Sequence, residues 1–168
     1  MDATLIFPHQ LFSTSSALKR SRKTFIIRDP LFFNDKEYPV RFHKNKILLH
    51  ILSTDYYRSE LIDRGYDVQL VTEKELIGKY YFDSFFKKNN INEVHYCDPV
   101  DYTITKRLDH SINSLSIKSY KYDTPGFMLE ESDVFDHFTN KKSHFMAAFY
   151  KKQRKKYNIL MNDDGTPV

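Results

Sequence analysis

Seven histidines, one cysteine and four glycines bound the chemistry that this 168-residue chain could carry. His43 and His50 are seven residues apart and would share one helix face. No Asp, Glu or Cys stands three or four residues from either, so their spacing does not make a metal site. Cys97 is alone and can form neither an internal disulfide nor a four-thiolate site. In its apolar stretch it reads as a small buried hydrophobe. No Gly-x-Gly-x-x-Gly and no P-loop sequence is present to cradle phosphates, and no nucleophile-elbow sequence surrounds a serine. Nothing in the pattern is a self-contained catalytic site. Two basic clusters, Lys19–Lys23 and Lys151–Lys156, read as a solvated loop and a helix end, the latter suited to the helix dipole.

The elements that would position such residues alternate. Apolar runs at Thr4–Phe7, Lys23–Arg28, Tyr66–Val71, Glu93–Cys97 and Leu115–Tyr120 predict five strands. Helices are expected over Lys44–Arg64, stopped by Gly65, over Lys79–Lys88, and over Val100–Ile112 with Asp98 as cap and Pro99 at its first turn. In the first helix Ile47, Ile51 and Leu61 predict the inward stripe, flanked by Leu48, Leu52 and Ile62. Continuous rather than alternating apolar strands suit a sheet covered on both faces. Five strand–helix alternations argue for an α/β fold with a parallel five-stranded sheet and helices on both faces. Ligands in such folds sit beyond the C-terminal strand ends, here Phe7–Gln10, Asp29–Pro30, Thr72–Glu73 and Asp98.

After Thr124–Gly126, Ser132 is the expected cap of a short helix to Phe138. Ser143 is the expected cap of a longer one beginning at His144, with Phe145 and Phe149 on one face beside Met146, Tyr150 and Gln153. The chain then passes through Ile159–Met161 and the polar turn Asn162–Gly165. We expect an α/β domain over 1–141, a helix packed on it over 142–161, and the start of a linker to a further domain over 162–168. Composition is that of an ordinary soluble domain, 40% hydrophobic and 29% charged, with a net charge of +4 spread among acidic groups. No apolar run is long enough to span a bilayer and no signal peptide is evident, so we expect a cytoplasmic protein, a monomer or weak dimer.

Several blocks carry a resemblance. Phe149-Tyr-x-x-x-Arg-x-x-Tyr157-x-Ile-Leu-Met-Asn-Asp-Asp-Gly-Thr-Pro-Val168 resembles the segment following the antenna domain in photolyase-related proteins, the iron–sulfur bacterial cryptochromes and prokaryotic (6-4) photolyases. Leu5-Ile-Phe-Pro-His-Gln-Leu11 is similar to that family's strand ending in Gly-Asp-Gln-Leu, with Pro8-His9 in place of Gly-Asp. Tyr38-Pro-Val-Arg-Phe-His-Lys-Asn-Lys-Ile47 resembles its Tyr-x-Pro-His-His-Lys-x-Lys-Ile block. The resemblance implies a Rossmann-like antenna domain that holds a light-harvesting chromophore such as 6,7-dimethyl-8-ribityllumazine. It also implies a partner helical domain, outside this chain, that carries FAD and a 4Fe–4S cluster and binds damaged DNA. On that reading Gln10, Asp29 and His43 are the expected polar anchors of a flat heterocycle, and Tyr38, Phe42 and Ile47 its wall. The alternatives are a structural domain that has lost its chromophore, or a nucleotide-binding α/β domain.

Overall fold

The computed structural model describes residues 1–140, 142–166 and 168. Residues 1–126 form one compact unit and residues 127–168 a second. In the first, strands β1 (Asp2–Ile6), β2 (Lys23–Ile27), β3 (Val68–Val71), β4 (Glu93–Cys97) and β5 (Lys118–Tyr122) build one all-parallel sheet in the order β3-β2-β1-β4-β5. Helices α1 (Lys44–Asp63), α2 (Tyr81–Lys88) and α3 (Tyr102–Ser114) follow β2, β3 and β4, whereas β1 runs to β2 through a loop rather than a helix. The architecture is a Rossmann-like α/β fold, as the alternation of elements predicts.

Side-chain alternation along the strands divides two cores. Leu5, Phe7, Phe25, Ile27, Val94 and Tyr96 point to the face covered by α2 and α3. There they meet Phe82, Phe85, Phe86, Ile104 and Leu108. Phe25 meets Phe85 edge-on at 5.2 Å, a favoured aromatic geometry. Ile6, Ile26 and Val68 point the other way, onto Tyr57 and Leu61 of α1. Helix α1 ends where expected: Arg64 is its C-cap and Gly65 follows at φ +84°, a conformation glycine takes without strain.

The inward face of α1 differs from the expected stripe. Thr54, Tyr57 and Leu61 are buried and Ile47 and Ile51 half-buried, whereas Leu48, Leu49, Leu52 and Ile62 are exposed. Leucines surround the helix, so periodicity alone does not set its rotation. Arg28, buried at the end of β2, does. Its Nε donates to Thr54 Oγ1 at 2.8 Å, and its Nη2 donates to the Ile51 carbonyl at 2.8 Å and pairs with Asp55 at 2.8 Å.

Two further boundaries move for local reasons. Helix α3 is capped by Asp101, whose carboxylate accepts the Ile104 N–H at 2.9 Å, not by Asp98. Asp98 instead accepts the Val100 N–H at 2.9 Å, and Val100 sits at φ +54°, which no helix can include. Strand β5 begins at Lys118 because Ser116, at φ +52°, turns the chain after α3.

In the second unit α4 covers Glu131–Phe138 and α5 Met146–Lys156. Their N-caps are Glu130 and Phe145, so neither Ser132 nor Ser143 caps a helix as expected. Phe149 packs against the rings of His137 at 4.9 Å and Phe138 at 5.1 Å, and Lys156 pairs with Asp133 at 2.7 Å. Phe149 and Gln153 are buried while Phe145, Met146 and Tyr150 are exposed, so the expected shared face divides. Among the described residues no helix is long and apolar enough to cross a membrane.

Phe82→Ala should cost about 3–5 kcal/mol of unfolding free energy, the usual loss for a buried aromatic ring. Leu52→Ser on the outer face of α1 should change it by less than about 0.5 kcal/mol. Urea denaturation of the two variants checks both.

Candidate functional site

In a doubly wound sheet the crevice opens where strand order reverses, here between β1 and β4. The loop after β1 bridges that point. The Gln10 amide donates to the carbonyls of Cys97 at 3.2 Å and Asp98 at 2.8 Å. His9 Nε2 lies 2.8 Å from the Pro99 carbonyl, which can only accept, so that nitrogen carries the proton. The His9 ring lies against Phe32 at 5.1 Å, and Phe32 meets His50 edge-on at 5.3 Å. Gln10 Oε1 and His50 Nε2 are buried here without a hydrogen-bond partner among the described residues.

A cavity of about 380 Å³ opens one position along, beyond the C-terminal ends of β2 and β3. Pro30, Leu76, Ile77 and Tyr81 give it an apolar wall. Lys36, Glu37, Glu73, Lys74 and Lys79 mix both signs of charge around it. Its polar floor is a buried network. Asp29 follows Arg28 just beyond the end of β2, and its Oδ1 accepts the Leu31 N–H at 3.0 Å, capping the short 3-10 turn Pro30–Phe32. Its Oδ2 accepts a short hydrogen bond from the Tyr81 hydroxyl. Arg107 of α3 grips Asp35 with both terminal nitrogens, at 2.5 and 3.0 Å, and Nη1 also reaches the Tyr81 oxygen at 3.4 Å. Asp35 Oδ1 further accepts the N–H groups of Glu37 at 2.8 Å and Tyr38 at 3.0 Å. These bonds use three of the five Arg107 donors. Two remain uncommitted among the described residues, on a side chain that lines the cavity.

The electrostatics follow from burial. Removal from water pushes the Asp29 carboxyl up from 3.8 to about 6, against the hydrogen bonds from Tyr81 and Leu31. Burial acts on Asp35 in the same direction, but the hydrogen bonds from Arg107, Tyr38 and Glu37 outweigh it and hold that carboxyl below its usual value. Burial and the Asp29 carboxylate together raise the Tyr81 phenol, so it stays a donor at every ordinary pH. The buried network of Asp29, Asp35, Tyr81 and Arg107 therefore gains one negative charge, on Asp29 behind the cavity, as pH rises through about 6.

The residues expected from the sequence are not gathered in one place. Asp29 is fully buried behind the Tyr81 hydroxyl and does not itself line the cavity, and Tyr38 stands near that network with Arg107 5.6 Å from its ring centroid. Tyr38 also lines a second hollow of about 150 Å³ with Tyr80, Thr103 and Lys106. Gln10 is committed to the β1–β4 bridge. His43 is exposed and serves as N-cap of α1, its Nδ1 accepting the Asn45 N–H at 3.2 Å. Phe42 is half-buried beneath the Lys46 ammonium at 4.1 Å, and Ile47 is half-buried one turn into α1. Phe42, His43 and Ile47 do not line the cavity. Arg107, Asp35 and the Tyr81 hydroxyl went unread in the sequence. A signal existed for Arg107: an arginine falls on the inward stripe of α3 between Ile104, Leu108 and Ser111.

A parallel sheet in the order 3-2-1-4-5, with a cavity beyond its C-terminal edge, defines a Rossmann-like α/β domain. Residues 4–168 match the family described as deoxyribodipyrimidine photo-lyase-related protein, and the chain belongs to that family. It is also 32% identical over 174 residues to an uncharacterized protein of Acanthamoeba polyphaga mimivirus, a match covering 98% of this chain and 86% of the viral one.

Arg107→Met should destabilise the fold by about 3–5 kcal/mol, because it leaves Asp35 buried without its partner. Asp29 has a folded pKa above its unfolded one, so its contribution is fully present below pH 3.8 and is lost as pH rises through about 6. Asp29→Asn should remove that dependence. The stability difference, variant minus wild type, should rise by about 2 kcal/mol between pH 4 and pH 7 in urea titrations.

Proposed function

We propose that this chain is the light-harvesting, chromophore-binding domain of a photolyase-related protein. The observation that carries the proposal is the cavity beyond β2 and β3, about 380 Å³ in volume, lined by Arg107, Asp35 and Tyr81 with Asp29 buried behind Tyr81. That volume lies within the range of about 300–1,000 Å³ usual for small-molecule sites. The residues fit a flat, polar, uncharged heterocycle bearing a polyol, such as 6,7-dimethyl-8-ribityllumazine. The two uncommitted Arg107 donors suit ring carbonyl oxygens. Pro30, Leu76 and Ile77 offer an apolar surface to the ring, and the mixed lysine and glutamate rim suits hydroxyl groups. When bound, the heterocycle supplies light absorption. The chain's part is to fix its orientation and exclude water. Transfer of excitation to FAD in a helical partner domain, with its 4Fe–4S cluster and its contact to damaged DNA, belongs to the same proposal.

One observation favours a second reading, a structural domain without chromophore. The switch point is bridged by Gln10 and His9, so that crevice is tied shut by the protein's own hydrogen bonds. A nucleotide-binding role has less support, because the cavity has no glycine cradle and its rim carries glutamates as well as lysines.

Fluorescence titration with 6,7-dimethyl-8-ribityllumazine, with FMN and ATP as controls, tests the proposal. Saturable lumazine binding is expected, weakened at least about tenfold by Ile77→Trp, which fills the cavity mouth from an exposed position. Absence of lumazine binding, or binding indifferent to Ile77→Trp, would overturn it.

A further inference from the structure

Helix α1 carries a second apolar stripe that no described residue covers. Its inner face rests on the sheet through Thr54, Tyr57 and Leu61. On the opposite face Leu48, Leu49, Leu52 and Tyr56 are 52–74% exposed. A helix that is apolar on both faces is one whose second face also has something to cover it. The outer stripe has an internal order. Read outward from Leu52 in either direction, a large apolar residue comes four positions away, Leu48 or Tyr56. A small, exposed polar one comes seven positions away, Asn45 or Ser59. Those spacings keep all five on one side of the helix. The stripe is therefore the same from both ends, which is what a surface needs to pack on a copy of itself across a two-fold axis.

The charges at the two ends of α1 say how the copies lie. The first turn holds Lys44 and Lys46 and no acid, and the last turn holds Glu60 and Asp63 and no base. Both ends oppose the dipole of their own helix, which favours acids at the start and bases at the end. Glu60 has an intrachain partner in the cap residue Arg64 at 3.3 Å. Lys44, Lys46 and Asp63 have no ion-pair partner among the described residues. A second α1 laid antiparallel brings an acidic last turn and the negative end of a helix dipole to Lys44 and Lys46. It brings a basic first turn to Glu60 and Asp63. What is unfavourable in one copy becomes complementary in two, whereas parallel pairing would set like charges together.

We propose that the outer face of α1 is a homodimer interface, in which two copies of this chain pack α1 against α1, antiparallel, about a two-fold axis beside Leu52. Leu52 meets its own copy there, Leu48 of each chain lies on Tyr56 of the other, and Asn45 stands opposite Ser59. The interface is one helix pair, at the small end of specific interfaces, so the dimer is weak and reversible. No α1 residue lines the cavities beyond the strand ends, so dimerisation does not depend on a ligand there.

Sedimentation equilibrium of the full chain at low salt tests this. The wild type should pass from monomer to dimer between about 1 µM and about 1 mM. Leu52→Ser, which leaves each copy folded, removes a leucine from both sides of the axis and should raise the dissociation constant at least about tenfold. The orientation is read from two charge reversals, Lys44→Glu with Lys46→Glu in one variant and Glu60→Lys with Asp63→Lys in the other. Each reversal suits the helix's own dipole, so neither is expected to unfold the chain that carries it, and circular dichroism checks this. Each variant alone should stay monomeric, because its two ends then carry the same sign. Mixed in equal amounts, the two should form a heterodimer. A wild type monomeric throughout, a dimer indifferent to Leu52→Ser, or reversed variants that associate alone or fail to associate when mixed would overturn the proposal.

Discussion

A guanidinium buried at the C-terminal edge of the sheet organises the first unit. Arg107 is 5% exposed, and an unpaired charge at that depth would not be tolerated. It is tolerated because Asp35 meets it with both oxygens and Tyr81 adds a third contact. Those partners come from different elements: Asp35 from the loop after β2, Tyr81 from the first turn of α2, Arg107 from α3. One ion pair thus ties the long aromatic loop to two helices. Asp29 extends the tie to the end of β2 through the Tyr81 hydroxyl. Such a pair is costly to desolvate, and what it supplies is a unique arrangement more than net stability.

The same network sets the character of the cavity. Its floor is polar but almost fully committed, and only Arg107 keeps donors to spare. The strand-order reversal is the usual ligand position, yet here it is spanned by Gln10 and His9 and stiffened by Val100 at positive φ. A β-branched residue in that conformation persists only where its surroundings over-determine it. Here Asp98 and the Pro99 contact do so.

The two halves of the sheet therefore differ. The β2–β3 side carries a cavity over a buried ion pair. The β4–β5 side carries Tyr120 and Tyr122 stacked on His95, which bonds to Glu93 and to the Tyr122 hydroxyl. Both depend on parallel register. In the first case it brings Asp29 to a strand end. In the second it sets Glu93 and His95 beside Tyr120 and Tyr122.

The sequence by itself determined the order and type of the elements, the parallel sheet and the stop of α1 at Gly65, because local propensity and continuous apolar runs act over a few residues. It also pointed to Asp29, since an acid just after an apolar strand must lie at the sheet's edge. It did not determine the rotation of α1, where leucines on every side leave the phase to Arg28 and its bonds to Thr54 and Ile51. It did not assemble the site either. Asp35, Tyr81 and Arg107 are separated by 26 to 72 positions, and only packing of α2 and α3 on one face brings them together. His43 caps α1, because the Asn45 N–H at the start of the helix lies within its reach. Short-range rules placed the strands, whereas charge burial, a long-range constraint, decided which side chains face each other across them.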